Sequence, residues 1–194
     1  MSARLLIITG TSGVGKSTLA SKLASSMDFG KVAATDTIRE VLRTQFGPSD
    51  IPALHRSSFE PAGGSAADDW RETVGVVSEG VQAVIRRAEE RGSDLLLEGV
   101  HFIPGDRAIE SWREAGGLAA GIVLFVEDEV AHREMISDRE KHNGKRVEHY
   151  LGNLDRIRSI QDEMVELGSE SGWTLIDPTA EGDPSEAVEG LLSG

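Results

Sequence analysis

The first residues that could carry chemistry form a glycine-rich turn near the start of the chain. The pattern Gly10-x4-Gly15-Lys16-Ser17 is a complete phosphate-binding loop, and it lies between an apolar run and a helical pattern, as its mechanism requires. Its glycines let the backbone wrap a β-phosphate, and the amides at the start of the helix donate N–H groups to it. Lys16 would bridge the β- and γ-phosphates of ATP, and the Ser17 hydroxyl would bind Mg²⁺. We therefore expect nucleotide contacts from the whole segment: Gly10, Thr11, Ser12, Gly13, Val14, Gly15, Lys16, Ser17 and Thr18.

A carboxylate at the end of a later apolar run is a second candidate for the nucleotide site. Glu98 follows the run of leucines at 95–97, and on one interpretation it holds a metal-bound water or orients the acceptor. On the other, it is a helix cap or a surface charge. The chain has neither an Asn-Lys-x-Asp motif nor an Asp-x-x-Gly motif, which argues against a GTPase switch.

Residues suited to an acceptor follow the second predicted strand. Asp36 comes directly after that strand, at the edge where open α/β sheets bind ligands, and could take a proton from an acceptor hydroxyl. It could equally cap the following helix. Arg39 and Arg43 share a face of that helix and would suit an acidic substrate, unless they pair with Glu40 on the surface.

Two further segments could close the acceptor side. His101, in the turn after Glu98, could contact a phosphate or transfer a proton, although a histidine in a loop is also commonly structural. The stretch 47–67 is rich in Pro, Gly and Ser and reads as a long loop that could fold over the acceptor.

Basic residues gather around a helical break late in the chain. In an acidic protein this density indicates a lid, at about residues 128–149, whose arginines neutralise the transferring phosphoryl group and whose closure excludes water. The alternative is an ordinary solvated pair of helices, since acidic residues interleave with the basic ones. Arg156 and Arg158 could also reach back to the site. The basic residues of this segment are Arg133, Arg139, Lys141, Lys145 and Arg146.

The elements that must position these residues alternate between strand and helix. Apolar runs predict strands at 4–9, 31–35, 94–98, 121–126 and 173–176, and helical patterns fill the intervals at 15–27, 36–46, 68–91, 105–115, 127–141 and 146–169. A helix at 184–192 closes the chain. This order predicts one domain over residues 1–194, an α/β P-loop NTPase fold in three layers. Its five-stranded, mostly parallel sheet would be flanked by helices, as in small kinases with a helical lid.

Composition excludes some partners. The formal net charge of −13 is the wrong sign for a protein that binds the phosphate backbone of nucleic acid. The absence of cysteine excludes disulfides and thiolate metal sites. No apolar run is long enough to span a bilayer and no export signal is visible, so we expect a cytoplasmic protein without a membrane partner.

Four stretches together resemble the 2-phosphoglycerate kinases of archaea and their shorter bacterial relatives. They are the loop 10–18, TDTIREVLR at 35–43, LLLEGVHFIPG at 95–105 and YLGNLDRIRSIQDEM at 150–164. The resemblance implies transfer of the ATP γ-phosphoryl group to the 3-hydroxyl of 2-phosphoglycerate, giving 2,3-bisphosphoglycerate. It also implies that the longer archaeal members carry an N-terminal domain that is absent here. The residues that it assigns are Lys16 and Ser17 for ATP and Mg²⁺, Asp36 for the acceptor hydroxyl, Arg39 and Arg43 for its anionic groups, Glu98 and His101 for the site lining, and Arg133, Arg139 and Arg146 for the lid.

Two alternatives stay open at this point. One is a kinase for another small anionic alcohol, such as a sugar acid, a nucleotide or a nucleotide sugar. The other is a nucleotide-binding regulatory module that is not a kinase. Neither the oligomeric state nor a preference between ATP and GTP follows from the residues.

Overall fold

A computed structural model describes residues 2–143 and 147–192. The strands are β1 (Arg4–Thr9), β2 (Val32–Ala34), β3 (Leu95–Gly99), β4 (Leu118–Leu124) and β5 (Thr174–Ile176). The α-helices are α1 (Lys16–Ser26), α2 (Thr35–Arg43), α3 (Ala66–Glu90), α4 (Ala108–Glu114), α5 (Glu129–Asn143), α6 (Val147–Leu151), α7 (Leu154–Glu170) and α8 (Pro184–Glu189). Short 3₁₀ turns lie at Pro52–His55 and Gly190–Leu192. No helix in the described ranges is long and apolar enough to cross a membrane.

The strands form a single sheet in the order β2-β3-β1-β4-β5, and every neighbouring pair is parallel. The predicted three-layer α/β fold is therefore confirmed. Its central strands are continuous apolar runs because helices cover both of their faces. Alternate residues of β1 feed two cores: Leu5 and Ile7 join the core under α3, α4 and α7, while Leu6 and Ile8 join the core under α1 and α8. This arrangement brings the carboxyl ends of β1, β2 and β3 to one edge of the sheet.

Several predicted bounds differ from the structure, and two of the differences have clear local reasons. The strand expected at 121–126 begins earlier, at Leu118, because the small residues before it pair with β1 from Arg4 onwards. The single helix expected at 146–169 is two helices, α6 and α7, which are separated by Gly152 and Asn153. The amide of Gly152 closes the end of α6 on the Glu148 carbonyl, and the Asn153 side chain donates to the His149 carbonyl.

Candidate active site

The phosphate-binding loop lies at the carboxyl end of β1 and leads into α1. Its backbone takes the left-handed conformation at Gly13 and Gly15, with φ of +87° and +86°, which side chains rarely adopt. The Lys16 Nζ atom donates to the Thr11 carbonyl at 2.7 Å, so the ammonium group is already folded back over the loop. The loop therefore has the shape and the donors that a nucleotide phosphate requires.

Glu98 stands beside this loop because β3 is the neighbour of β1, with Glu98 paired in register with Ile8. The Ser17 hydroxyl donates to the Glu98 Oε1 atom at 2.9 Å. This contact favours the interpretation of Glu98 as part of the nucleotide site over that of a helix cap. A hydroxyl and a carboxylate at hydrogen-bond distance fit the donor set of Mg²⁺, which prefers oxygen ligands and keeps several waters. The described ranges hold no group of three or more acidic, His or Cys side chains that could bind a metal without the help of phosphates.

Asp36 lies at the start of α2 but does not cap it. The N-cap is Ala34, no side chain caps this end, and Asp36 is the second helical residue. Its carboxylate is 69% exposed, 3.6 Å from the His101 Nδ1 atom and 3.9 Å from an Arg39 terminal nitrogen. Since capping does not account for Asp36, its exposed carboxylate is free to meet an acceptor.

His101 is seated behind Asp36 by a close backbone contact. Thr35 packs over Gly99, where a Cβ atom would lie 1.8 Å from the Thr35 hydroxyl, so only glycine fits there. That hydroxyl is 3.2 Å from the His101 Nδ1 atom, and the His101 side chain is 1% exposed. Burial lowers the pKa of His101 to about 4 although Asp36 opposes the change, so the ring is neutral near pH 7. A neutral His101 can orient a neighbouring group but cannot attract a phosphate as a cation.

A cleft of about 530 Å³ opens in front of Asp36. It has the size of a small-molecule site. The residues that line it come from the phosphate-binding loop, α2, the loop after α2, the turn after β3 and α6: Ser12, Asp36, Arg39, Glu40, Arg43, His55, Ser57, Ser58, Phe59, Glu60, Val100, His101 and Tyr150.

The two arginines of α2 are partly committed within this cleft. Arg39 donates to the carbonyls of Leu54 and Arg56, at 2.8 and 2.7 Å, so it holds the far wall of the cleft in place. Arg43 donates to Glu40 at 2.8 Å and approaches His55 at 3.4 Å. Arg39 is therefore first a support for the wall, and Arg43 is the more available group for an anion.

Hydrogen bonds from α7 and to α3 hold the second half of the loop between α2 and α3 in place. Arg156 from α7 donates to the Phe59 carbonyl at 2.8 Å and to the Asp69 carboxylate at 2.5 Å. Asp69 also accepts the amides of Ala62 and Gly64, and the Ala62 contact does most to hold the pKa of Asp69 below its usual value. Arg156 therefore contributes to the cleft indirectly, by holding in place the loop that forms one of its walls.

Arg139 is the arginine of α5 whose charge acts on the phosphate-binding loop. It is the smallest of the influences on the pKa of Lys16, which it lowers. Its guanidinium lies 5.0 Å from the centre of the Tyr150 ring and donates its Nε–H to the buried Glu140 at 2.6 Å. The ring and the carboxylate therefore hold the guanidinium in one orientation.

Solved structures of similar shape are reported as kinases and as other proteins. A candidate kinase from Chloroflexus aurantiacus superposes with a TM-score of 0.60 at 16% identity, with all of both chains covered. The shikimate kinase of Acinetobacter baumannii, solved with shikimate, gives 0.54 at 15% identity over 99% of this chain and 92% of that one. A structure from the PezAT toxin–antitoxin system of Streptococcus pneumoniae gives 0.53 at 14% identity, over all of this chain and 78% of that one. The fold is that of the P-loop kinases.

Curated relatives of this chain are named 2-phosphoglycerate kinase, the family that its motifs resemble. The 2-phosphoglycerate kinase of Thermococcus kodakarensis is 34% identical over 180 residues, which are 89% of this chain and 60% of the relative. That of Pyrococcus horikoshii is 30% identical over 181 residues, which are 89% of this chain and 58% of the relative. The chain thus spans about three fifths of the length of these relatives, and no protein-family model matches it. The predicted resemblance is confirmed.

One predicted lid residue, Arg133, does not line the cleft. Arg133 lies on the exposed side of α5 and pairs with Glu129 at 3.2 Å, because the buried side of the helix is occupied by His132 and Ile136. Arg146 and Lys145 lie outside the described residues. Arg158 does not line the cleft either, and its guanidinium donates to the carbonyls of Val126 and Glu127.

The lowered pKa of Lys16 predicts that nucleotide binding takes up protons in mild alkali. Desolvation is the main cause that lowers this pKa to about 8, and it outweighs the opposing charges of Glu98 and Asp36. Phosphate oxygens would raise the pKa again, so ADP binding at pH 8.5 should take up a fraction of a proton and weaken as the pH rises further. Calorimetric titration of ADP in two buffers of different ionisation enthalpy measures the uptake. The same titration at pH 7 is the control and should show none from Lys16, while equal values at both pH values would contradict the assignment.

Proposed function

We propose that the chain is an ATP-dependent small-molecule kinase that phosphorylates 2-phosphoglycerate to 2,3-bisphosphoglycerate. The observation that carries the proposal is the position of Asp36, an exposed carboxylate that lines the same cleft as Ser12 of the phosphate-binding loop. The names of the curated relatives support the choice of acceptor. A carboxylate beside the γ-phosphate position serves to hold and deprotonate an alcohol, which a nucleotide-binding module without transfer would not need.

In this proposal the donor half of the site belongs to Lys16, Ser17 and Arg139. Lys16 bridges the β- and γ-phosphates, and Arg139, oriented by Tyr150 and Glu140, meets the charge that spreads over the transferring group. Mg²⁺, when bound through Ser17 and Glu98, would supply neutralisation of the phosphate charge.

The acceptor half belongs to α2 and the wall that faces it. Asp36 accepts the proton of the acceptor hydroxyl, and neutral His101 behind it limits the directions in which the carboxylate can turn. Arg43 leaves its ion pair with Glu40 to bind a carboxylate or phosphate of the acceptor. Arg39 holds the wall of the cleft in position through its hydrogen bonds to the carbonyls of Leu54 and Arg56. A cleft of this size suits a small acid-bearing alcohol better than a polymer.

A panel of acceptors tests the proposal. ADP release in the presence of ATP and Mg²⁺ is measured with 2-phosphoglycerate, 3-phosphoglycerate, glycerate, shikimate, gluconate and nucleoside monophosphates, and without an acceptor. We expect 2-phosphoglycerate to raise ADP release at least about tenfold above the acceptor-free rate, since positioning of the acceptor is the main contribution of the site. Release stimulated only by another member of the panel would overturn the acceptor, and no stimulation by any of them would favour a nucleotide-binding module.

A further inference from the structure

His132 joins the helix α5 to the phosphate-binding loop. Its side chain is fully buried, and its Nε2 atom lies 2.9 Å from the Ser12 carbonyl oxygen. Because a carbonyl oxygen only accepts, Nε2 must carry the ring proton and donate it. Burial is the main cause that lowers the pKa of His132. The hydrogen bond to Ser12 and the charge of Asp177 oppose the change, and the charges of Arg158 and Lys16 reinforce it, so the net shift favours a neutral ring near pH 7.

The contact between α5 and the loop extends along the same face of the helix. Ile136, one turn after His132, fills the space beside Gly13, where a Cβ atom would come within 2.3 Å of the Ile136 side chain. Met135 lies against Gly15, with its methyl group 3.8 Å from the position of a Cβ atom there. The first half of the predicted lid segment is therefore packed onto the loop, and the His132 hydrogen bond is the polar member of this contact.

The hydrogen bond acts on the peptide group that links Ser12 to Gly13. This peptide is trans, so its carbonyl and the Gly13 N–H point in opposite directions. With the carbonyl held by His132 on the α5 side, the Gly13 N–H is directed away from that contact. A hydrogen bond to a carbonyl also polarises the amide on its other side, which makes that N–H a stronger donor.

We infer that His132 is a positioning residue for the phosphate donor, which fixes the Ser12–Gly13 peptide so that the Gly13 N–H meets a nucleotide phosphate. The inference rests on the nucleotide-binding part of the proposed function and is independent of the acceptor. Its closing experiment therefore measures ADP binding alone, while a wrong acceptor is detected separately by the acceptor panel.

The test compares two replacements of His132 that differ in one donor. His132→Phe keeps the ring and removes the N–H, and His132→Gln keeps an amide N–H at a similar reach. Ser137→Ala, on the same helix, removes a hydroxyl that donates to the Arg133 carbonyl one turn back and serves as the control. Isothermal titration calorimetry with ADP and Mg²⁺ gives the Kd for ADP. Thermal unfolding followed by circular dichroism gives the Tm of each variant and shows that it is folded at the temperature of the titration.

We expect His132→Phe to raise the Kd for ADP about fivefold, the effect of one neutral hydrogen bond, and His132→Gln and Ser137→Ala to stay within about twofold of the unmodified chain. If the ring of His132→Phe does not fit and the variant is unfolded, His132→Leu removes the donor with less bulk and takes its place. A folded variant without the donor that binds ADP as well as the unmodified chain would overturn the inference. Equal losses in His132→Phe and His132→Gln would also overturn it, because restoring the donor would then have no effect.

Discussion

Replacing Asp36 by Asn is expected to lower kcat for phosphorylation of 2-phosphoglycerate by about 10²- to 10⁴-fold, the usual contribution of a positioned general base. The Kd for ATP should change little, because Lys16, Ser17 and the loop amides are unaltered. The expectation rests on the exposed carboxylate of Asp36, which no capping hydrogen bond occupies. Steady-state kinetics with varied acceptor, together with ATP binding by calorimetry, measure the two effects separately.

Glu110→Gln is the matched control for Asp36→Asn. Asp36 and Glu110 both lie in the first turn of a helix, where a negative charge interacts favourably with the helix dipole. Each replacement should therefore lower stability by no more than about 1 kcal/mol. Glu110 is exposed on α4 and does not line the cleft, so its loss should leave kcat unchanged. An Asp36→Asn variant with normal kcat would show that Asp36 contributes only to the start of α2.

Replacing Lys16 by Met is expected to lower turnover by at least about 10²- to 10³-fold, since a charged donor that meets the transferring phosphoryl group is lost. Unlike Asp36→Asn, this variant should also bind ATP more weakly. Lys16 is held over the loop by the Thr11 carbonyl, so little reorganisation accompanies its contact with a phosphate. The measurements are the same kinetics and calorimetry.

The thermal stability of the Lys16→Met variant shows whether unfolding, rather than loss of the ammonium group, accounts for the lower turnover. Burial lowers the pKa of Lys16 from 10.5 to about 8, so at pH 7 the folded state penalises its charge. The penalty starts to fall as the pH rises above about 8 and is gone only above 10.5. An apolar side chain of similar length removes this penalty, and the Tm should not fall. Lys22→Met, on the exposed side of α1, is the control and should keep full turnover while it loses only the ion pair with Asp183. Normal turnover by Lys16→Met would contradict the donor assignment.

The convergence of Lys16, Asp36 and Glu98 on one edge of the sheet could be predicted because strand ends converge. Parallel strands place their carboxyl ends at one edge of the sheet. Lys16 and Asp36 each follow a strand that the apolar runs reveal, and Glu98 lies near the end of another. The Ser17–Glu98 contact is a consequence of β1 and β3 being neighbours, which the alternation of elements allows but does not specify. The edge of the sheet at which these residues lie is therefore set by backbone topology.

The arginines could not be assigned from their spacing, because long side chains choose partners that only the folded chain provides. Arg39 and Arg43 share a face of α2, as expected, yet Arg39 is used by two carbonyls of a loop more than ten residues away. On α5 the pattern of charges predicted a lid role for Arg133, which pairs with Glu129 on the exposed side. The buried residue next to it, His132, contacts the phosphate-binding loop. The spacing along the helix could have revealed this contact. His132 and Ile136 are four residues apart and so share a face of α5, and the apolar Ile136 indicates that this face is buried.

The most direct measurement of the central claim is a ³¹P NMR spectrum of the chain incubated with ATP, Mg²⁺ and 2-phosphoglycerate. We expect 2,3-bisphosphoglycerate to form in step with ADP, and Asp36→Asn to suppress both. ADP accompanied by inorganic phosphate, with 2-phosphoglycerate unchanged, would show that the γ-phosphoryl group goes to water and would contradict the account.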